Sequence, residues 1–241
     1  STPRYIHGTI FKAMVLGGAT STDAALEFNI YPWLWYLAFS KKSRILSGTC
    51  LEIIDTILSE YPANLISSDT LDTSHVTASL PSYDLVTQFE ESDYSLVCRL
   101  LERDGLFFYT VHEEDSYRIV IGESGASFEG DILDVVPIDI FSGAAGGSEL
   151  FSDYVTNLNL STEITPEQYI TKDYNPENAS ASLDAKSPAT DSVLSVFDYP
   201  GGFEELSYGM DDIAPRRLKM LKAFATTCTG FGKQPLFMPG I

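Results

Sequence analysis

The chain is poor in the residues that do chemistry. Its 241 residues include only three histidines, His7, His75 and His112, and three cysteines, Cys50, Cys98 and Cys228. The histidines fall in a strand, a loop and a turn. None has a second ligand at helical or hairpin spacing, which argues against a metal centre. The cysteines are odd in number and lack metal-type spacing. Cys50 and Cys98 fall among apolar residues of predicted helices, so buried thiols in a reducing compartment are expected rather than a disulfide frame. No Gly-x-Ser-x-Gly elbow offers a nucleophile for acyl transfer. Gly143-Ala144-Ala145-Gly146-Gly147 lacks the Lys and Ser/Thr that would complete a phosphate loop. Basic residues are scarce: 15 against 34 acidic ones give a net charge of −19, which argues against nucleic-acid binding. Tyr31 to Phe39 is apolar but far too short to span a membrane. Ser1-Thr2-Pro3-Arg4 is not followed by the apolar run of a secretory signal.

What the chain does have is core material. It is 44% hydrophobic and 12% aromatic, ample for one or two folded domains. The segment Gln88 to Glu123 is the most legible. Ser92 can cap a helix, with Asp93 in its first turn beside the positive end of the dipole. Tyr94, Val97, Cys98 and Leu101 recur at helical spacing, and Gly105 stops the run where a left-handed residue is wanted. Leu106 to Val111 then reads as a strand, His112 to Ser116 as a turn, and Tyr117 to Ile121 as the returning strand of a hairpin.

Elsewhere, Tyr5 to Ile10 and Ala25 to Ile30 are predicted strands joined by a turn at Gly17 to Thr22. Thr49-Cys50-Leu51-Glu52 is a capping-box pattern, followed by Leu51, Ile54, Ile57 and Leu58 at helical spacing as far as about Tyr61, before Pro62. Asn64 to Leu80 is polar and irregular, with short strand character. Ile132 to Ile140 is β-rich, Gly143 to Ser148 a flexible loop, and Val155 to Leu160 a half-exposed strand. The Ala, Ser, Asp and Asn content of Glu177 to Ser192 predicts a mobile segment. A final helix over about Ile213 to Ala225 precedes an extended terminus. No repeat of solenoid period is present.

Two kinds of residue are candidates for activity. Glu90-Glu91 and Glu113-Glu114-Asp115 supply paired acids of the type used in glycoside hydrolysis. They fall at an expected helix N-terminus and a hairpin turn, where acids are favoured by the dipole or by solvation. Trp33 and Trp35 are a candidate sugar platform, but Pro32, Leu34 and Leu37 beside them favour packing under a helix. No catalytic, cofactor-binding or metal-binding residue is assigned, and no cofactor is expected.

A series of short motifs runs through the chain in order: Tyr31-Pro32-Trp33-Leu34-Trp35-Tyr36-Leu37, Ser43-Arg44-Ile45-Leu46, Gln88-Phe89 with Glu91-Ser92-Asp93, Arg99-Leu100-Leu101-Glu102, Gly105 before the strand Phe107 to Tyr109, Asp198-Tyr199-Pro200-Gly201, and Ala214 to Leu218. Together they resemble the VgrG spike proteins of type VI secretion and the hub proteins of contractile phage tails, including the late control D family. The likeness covers nearly the whole chain. Leu46 stands where the family usually has Phe, and Pro215 falls inside its Ala-x-x-Arg-Leu helix. Family members have strands before the segment like Arg4 to Ile10, and continue after one like Pro239-Gly240 into an oligonucleotide-binding-type barrel and often a β-helical needle. The expectation is therefore a partial chain lacking the extreme N-terminal strands and the needle, either a fragment or the short hub type that leaves the needle to a separate protein.

The resemblance implies a β-rich α+β fold: two β-barrel-like hub domains with a helix-containing insertion, forming part of a trimeric ring. The domains are placed at 1–40 (the end of the first barrel), 41–125 (the helix and hairpin module) and 126–241 (the second barrel with its C-terminal helix). It implies a non-enzymatic homotrimer matching a threefold spike to a sixfold tube, with a tail-tube protein and a C-terminal or separate needle as partners. Assembly would occur in the bacterial cytoplasm, followed by secretion, injection or residence in a phage tail. The rival readings are a peptidoglycan-cleaving tail enzyme and a baseplate carbohydrate- or receptor-binding module. The acidic balance is explained by surface solubility, or by an acidic lumen that lets DNA or cargo pass without sticking.

Overall fold

Thr49 and Ser92 start the two helices that organise the first part of the chain. A computed structural model describes residues 5–16, 25–66, 71–128, 139–141, 154–180, 182–201 and 210–233. Thr49 accepts a bond from the Glu52 amide while the Glu52 carboxylate accepts from the Thr49 amide, the reciprocal capping box expected for α1, Cys50–Ser59. Ser92 accepts from the Ser95 amide and opens α2, Asp93–Arg103. At the far end of α2, Gly105 has φ 71°. The Leu106 amide donates to Leu101 O at 2.7 Å and the Gly105 amide to Glu102 O at 3.1 Å, a full Schellman exit that needs a left-handed residue.

Both helices bury the same stripe. Cys50, Ile53, Ile54, Ile57 and Leu58 are inside in α1, and Asp93, Leu96, Val97, Leu100 and Leu101 in α2. Each set follows the i, i+3, i+4, i+7, i+8 rule from the first helical residue. This corrects the sequence reading, which placed Leu51 in the first stripe and Tyr94 and Cys98 in the second; these three lie on the flanks, half-buried. The one-residue rotation puts Leu96 and Leu100 at the centre of the core, and it also carries Asp93 inside.

The chain divides into two compact units. The first comprises Ser1–Ala78 and Ser82–Phe128, the second Ser79–Pro81 and Glu129–Ile241. In the first unit, β1 (Thr9–Leu16) and β2 (Ala25–Tyr31) pair antiparallel, with a bulge between Ile10 and Lys12. The strand expected at Tyr5 to Ile10 thus begins later and runs further, and its predicted turn lies outside the described residues. A 3-10 turn over Trp33–Phe39 follows Pro32 and buries Trp33, Leu34 and Leu37. β3 (Lys41–Thr49) pairs antiparallel with β5 (Ser82–Ser92), and neither strand was anticipated. The expected hairpin is present as β6 (Phe107–His112) and β7 (Tyr117–Gly122). β4 (Leu71–His75), the strand foreseen within the irregular stretch, joins it parallel to β7. Helix α2 packs against α1, the Trp33–Phe39 turn and β5.

In the second unit, β8 (Asp139–Phe141) and β13 (Thr226–Lys233) flank β9 (Tyr154–Thr162), parallel and antiparallel to it respectively. A second sheet places β10 (Gln168–Asp173) between antiparallel β11 (Leu183–Ser187) and parallel β12 (Ser195–Asp198). Helix α3 (Met210–Lys222) runs through Pro215 and packs Ala214 and Leu218 onto Tyr169, Leu183 and Ala185. The stretch Glu177 to Ser192, expected to be mobile, holds the strand β11. Leu183 and Ala185 are buried, and fully buried Gln168 donates to Pro188 O and Thr190 O at 2.9 and 2.8 Å, so two core side chains and one amide tie this polar stretch to the second unit. The loop expected at Gly143 to Ser148 lies outside the described residues, as does most of the stretch from Ile132 to Ile140.

The fold is mostly β with three α-helices among the described residues, which agrees with a β-rich α+β class. The five sheets among the described residues contain two or three strands each and are open.

Candidate functional site

Asp93 occupies the first stripe position of α2, so the helix delivers a carboxylate to the core side of its N-terminus. Its side chain has 0% exposure. A buried charge is tolerated only when paired and fully hydrogen-bonded, and here it is. Oδ1 accepts from Arg44 Nη2 at 3.0 Å and Gln88 Nε2 at 2.8 Å. Oδ2 accepts from Lys42 Nζ at 2.7 Å and Tyr61 Oη at 2.6 Å. The Asp93 amide donates to Ser40 O at 3.0 Å.

The donors reach one point for simple reasons of pleat and helix length. Lys42 and Arg44 alternate on one face of β3, and Gln88 stands opposite Arg44 on β5. α1 ends at Ser59, which places Glu60 and Tyr61 beside them. Glu60 accepts from Lys42 Nζ at 2.6 Å and also from Arg44 Nη1, so two acids balance two cations. Gln88 Oε1 accepts from Arg44 Nε at 2.7 Å, and Gln88 Nε2 also donates to Glu91 O at 2.9 Å. Burial would push the Asp93 carboxyl up, but the bonds from Lys42, Tyr61 and Gln88 outweigh it and hold the group below its ordinary value. Burial likewise works against the Lys42 ammonium, and the bonds to Asp93 and Glu60 overcome it and raise it.

Next to this cluster, Arg99 of α2 holds Glu91 in a two-point contact, Nε to Oε1 at 3.0 Å and Nη2 to Oε2 at 2.9 Å. The same guanidinium donates to Thr87 O at 3.0 Å, which ties α2 to β5. A second network centres on Arg217 of α3. Its Nη1 donates to Asp198 Oδ2 at 2.7 Å and Tyr169 Oη at 2.9 Å, and its Nη2 to Gly201 O at 3.2 Å. Tyr169 Oη donates to the same Asp198 oxygen at 2.7 Å, and the Gly201 amide to Lys172 O at 2.8 Å. The motif Asp198 to Gly201 is thereby fastened to the helix carrying Ala214, Arg217 and Leu218.

The residues weighed for chemistry are dispersed or engaged in structure. Glu90 is exposed at φ 45° and Glu91 is held by Arg99. Both lie at the end of β5, not on a helix N-terminus as expected. Glu113 bonds to Arg118, which also faces Asp72, and Glu114 and Asp115 are exposed in the hairpin turn. Trp33 is buried and its amide donates to Tyr117 Oη at 2.9 Å. Trp35 stacks on Tyr31 at 4.8 Å and meets Tyr94 edge-on at 5.1 Å. Cys50 is buried, Cys98 half-buried and Cys228 exposed; burial, then the charge of Asp104 beside it, pushes the Cys50 thiol up. The histidines are less scattered than the sequence suggests, since His7 and His112 meet across the first unit. Among the described residues no group of three or more His, Cys, Asp or Glu is placed to hold a metal ion. No described helix is long and apolar enough to cross a membrane.

Arg44, Gln88, Glu91, Ser92, Asp93 and Arg99, all motif residues in the sequence, therefore form one connected structure at the start of α2. The sequence motifs supplied the parts but not the joint: nothing local to Arg44 announces Asp93, 49 residues away.

Comparison with known proteins bears on what these networks belong to. The spike protein VgrG1a of Pseudomonas aeruginosa is 22% identical over 225 residues, 91% of this chain and 33% of that protein. VgrG4b of the same organism is 26% identical over 241 residues, 98% of this chain and 28% of that protein. The chain thus spans about a third of the length of these curated relatives. Among solved structures, the Escherichia coli c3393 protein, described as a type VI secretion component with structural similarity to the T4 bacteriophage tail proteins gp27 and gp5, superposes with a TM-score of 0.50. The identity is 21%, covering 67% of this chain and 40% of that one, and shows a shared fold. The model of the phage tail baseplate hub (GPD) family matches residues 1–241, and the chain belongs to that family.

Proposed function

We propose that this chain works as a structural hub of a contractile injection machine, a homotrimer that matches a threefold spike to a sixfold tube. A tail-tube protein would stack on one side and a needle, continuous or separate, on the other. In this reading residues 1–40 end a first barrel-like domain, 126–241 form a second, and 41–125 are the module between them. Three chains would then offer six similar barrels in a ring. Assembly would take place in the bacterial cytoplasm, before secretion, injection or incorporation into a phage tail.

The observation that carries the proposal is the use to which the family motifs are put. Arg44, Gln88, Asp93, Glu91 and Arg99 hold one another, and Asp198, Gly201 and Arg217 do the same. Their polar atoms are consumed in joining strands to helices. Such residues suit a body that transmits force, and the mechanism is geometric, without a chemical step. The charge sets a condition on the ring. Three copies at −19 repel one another, so the acids must face the lumen or the rim, leaving apolar and strand-edge surface for the contacts.

Light scattering at low and at moderate salt tests the assembly. The expected mass is three times the 26.5 kDa of the chain, unchanged or favoured as salt rises, because screening acts over about 10 Å at 0.1 M. A mass of one chain under all conditions, or hydrolysis of peptidoglycan by the purified protein, would overturn the reading.

A further inference from the structure

The histidines are few, and two of them are brought into contact from positions 105 residues apart. His7 lies just before β1, and His112 ends β6 at the lip of the hairpin turn. Their rings stack with centroids 6.0 Å apart, and His7 also stacks on Tyr117 at 6.4 Å. The His7 backbone amide donates to His112 Nδ1 at 3.1 Å. That bond requires a bare Nδ1, hence a neutral His112 with its proton on Nε2. His7 Nδ1 is buried and has no hydrogen-bond partner among the described residues, so a proton placed there would be unsatisfied by them.

We propose that His7 and His112 form a pH-sensitive latch, which ties the entry to the β1–β2 hairpin onto the β6–β7 hairpin near neutral pH and releases it in mild acid. Imidazole is the side chain whose charge ordinarily changes between about pH 5 and 8. Protonation of His112 turns the acceptor for the His7 amide into a donor, so the bond between them is lost. The movement would be passed on to β2. A side chain at Gly8 would come within 2.7 Å of Ile30 Cγ2 and Tyr31 O, so this segment lies directly on the second strand. Among the described residues, Tyr117 of β7 faces the pair, with Tyr36 of the Trp33–Phe39 turn near it. On the hairpin turn itself stand Glu113, bonded to Arg118, and the exposed Glu114 and Asp115. The latch stands independently of the hub assignment.

Amide hydrogen exchange, expressed as protection factors at about pH 7.5 and about pH 5.5, reads it directly. Protection at His7 and along β1 should fall at least about tenfold in acid, while the amides of α2 keep theirs. His112→Asn places a non-titrating oxygen acceptor near the position of Nδ1, and its protection should be the same at both pH values. Nitrogen NMR of the wild-type chain provides a check that needs no variant: His112 should be the Nε2–H tautomer near pH 7.5 and become imidazolium over the range in which protection is lost. Protection at His7 that ignores pH, an equal acid loss in His112→Asn, a parallel loss in α2, or a proton on His112 Nδ1 at neutral pH would each overturn the proposal.

Discussion

The two networks solve the same problem from opposite ends. Around α2 the centre is a carboxylate with no exposure, and the donors converge on it. Around α3 the centre is a guanidinium, and the acceptors converge on that; its partner Asp198 is 45% exposed. Burial makes these energetically different. Removing one member of a buried ion pair leaves a desolvated charge without compensation, whereas a half-exposed carboxylate can turn to water. The motif residues of the first network should therefore tolerate less change than those of the second.

The largest effect should come from Asp93→Ala. It leaves Lys42 and Arg44 facing each other with Glu60 alone, and should cost about 3–5 kcal/mol in urea unfolding of the first unit. Arg217→Ala should cost less, about 1–2 kcal/mol, since it gives up bonds to a charged acceptor that water partly replaces. Equal losses would erase the distinction between the networks. Gly105→Val forces a β-branched residue into φ 71°, with an expected cost of about 1–2 kcal/mol and no change in the hydrogen bonds of the Asp93 cluster. Thr49→Ala removes the cap of α1 and should cost about 1 kcal/mol.

Acid sharpens the same contrast. Asp93 is held below its ordinary value of 3.8, so its contribution is fully present above that pH and is lost as pH falls through the lower folded-state value. Circular dichroism of the wild type against Asp93→Asn should show an acid transition below about pH 4 that the variant lacks. A wild-type transition unaffected by the substitution would remove Asp93 as its cause.

Local signals in the sequence are the legible ones. Thr49 with Glu52, Ser92, Gly105 and the aromatic run into the β6–β7 hairpin each act within a few residues, and all four are where their chemistry requires. Helix phase was off by one residue, because Tyr94 and Cys98 look as apolar as Leu96 and Leu100 until a cap fixes the first stripe position. That error hid Asp93, since an acid in a first helical turn has an adequate local explanation in the helix dipole. β3 and β5 were missed for a different reason. Their inward residues include Arg44 and Gln88, so the apolar alternation that marks a strand is interrupted by the side chains that Asp93 recruits. β11 was lost in a polar stretch because Leu183, Ala185 and a distant Gln168 suffice to order it. The family resemblance found the right residues without saying that they touch.

A double-mutant cycle on Arg44 and Asp93 tests most directly whether these motif residues serve the architecture. Urea unfolding of Arg44→Ala, Asp93→Ala and the double variant should give a coupling of about 2–3 kcal/mol, the double variant being far less damaged than the sum of the single ones. Single effects that add to within about 0.5 kcal/mol would show that the pair is not a unit, and would contradict the account.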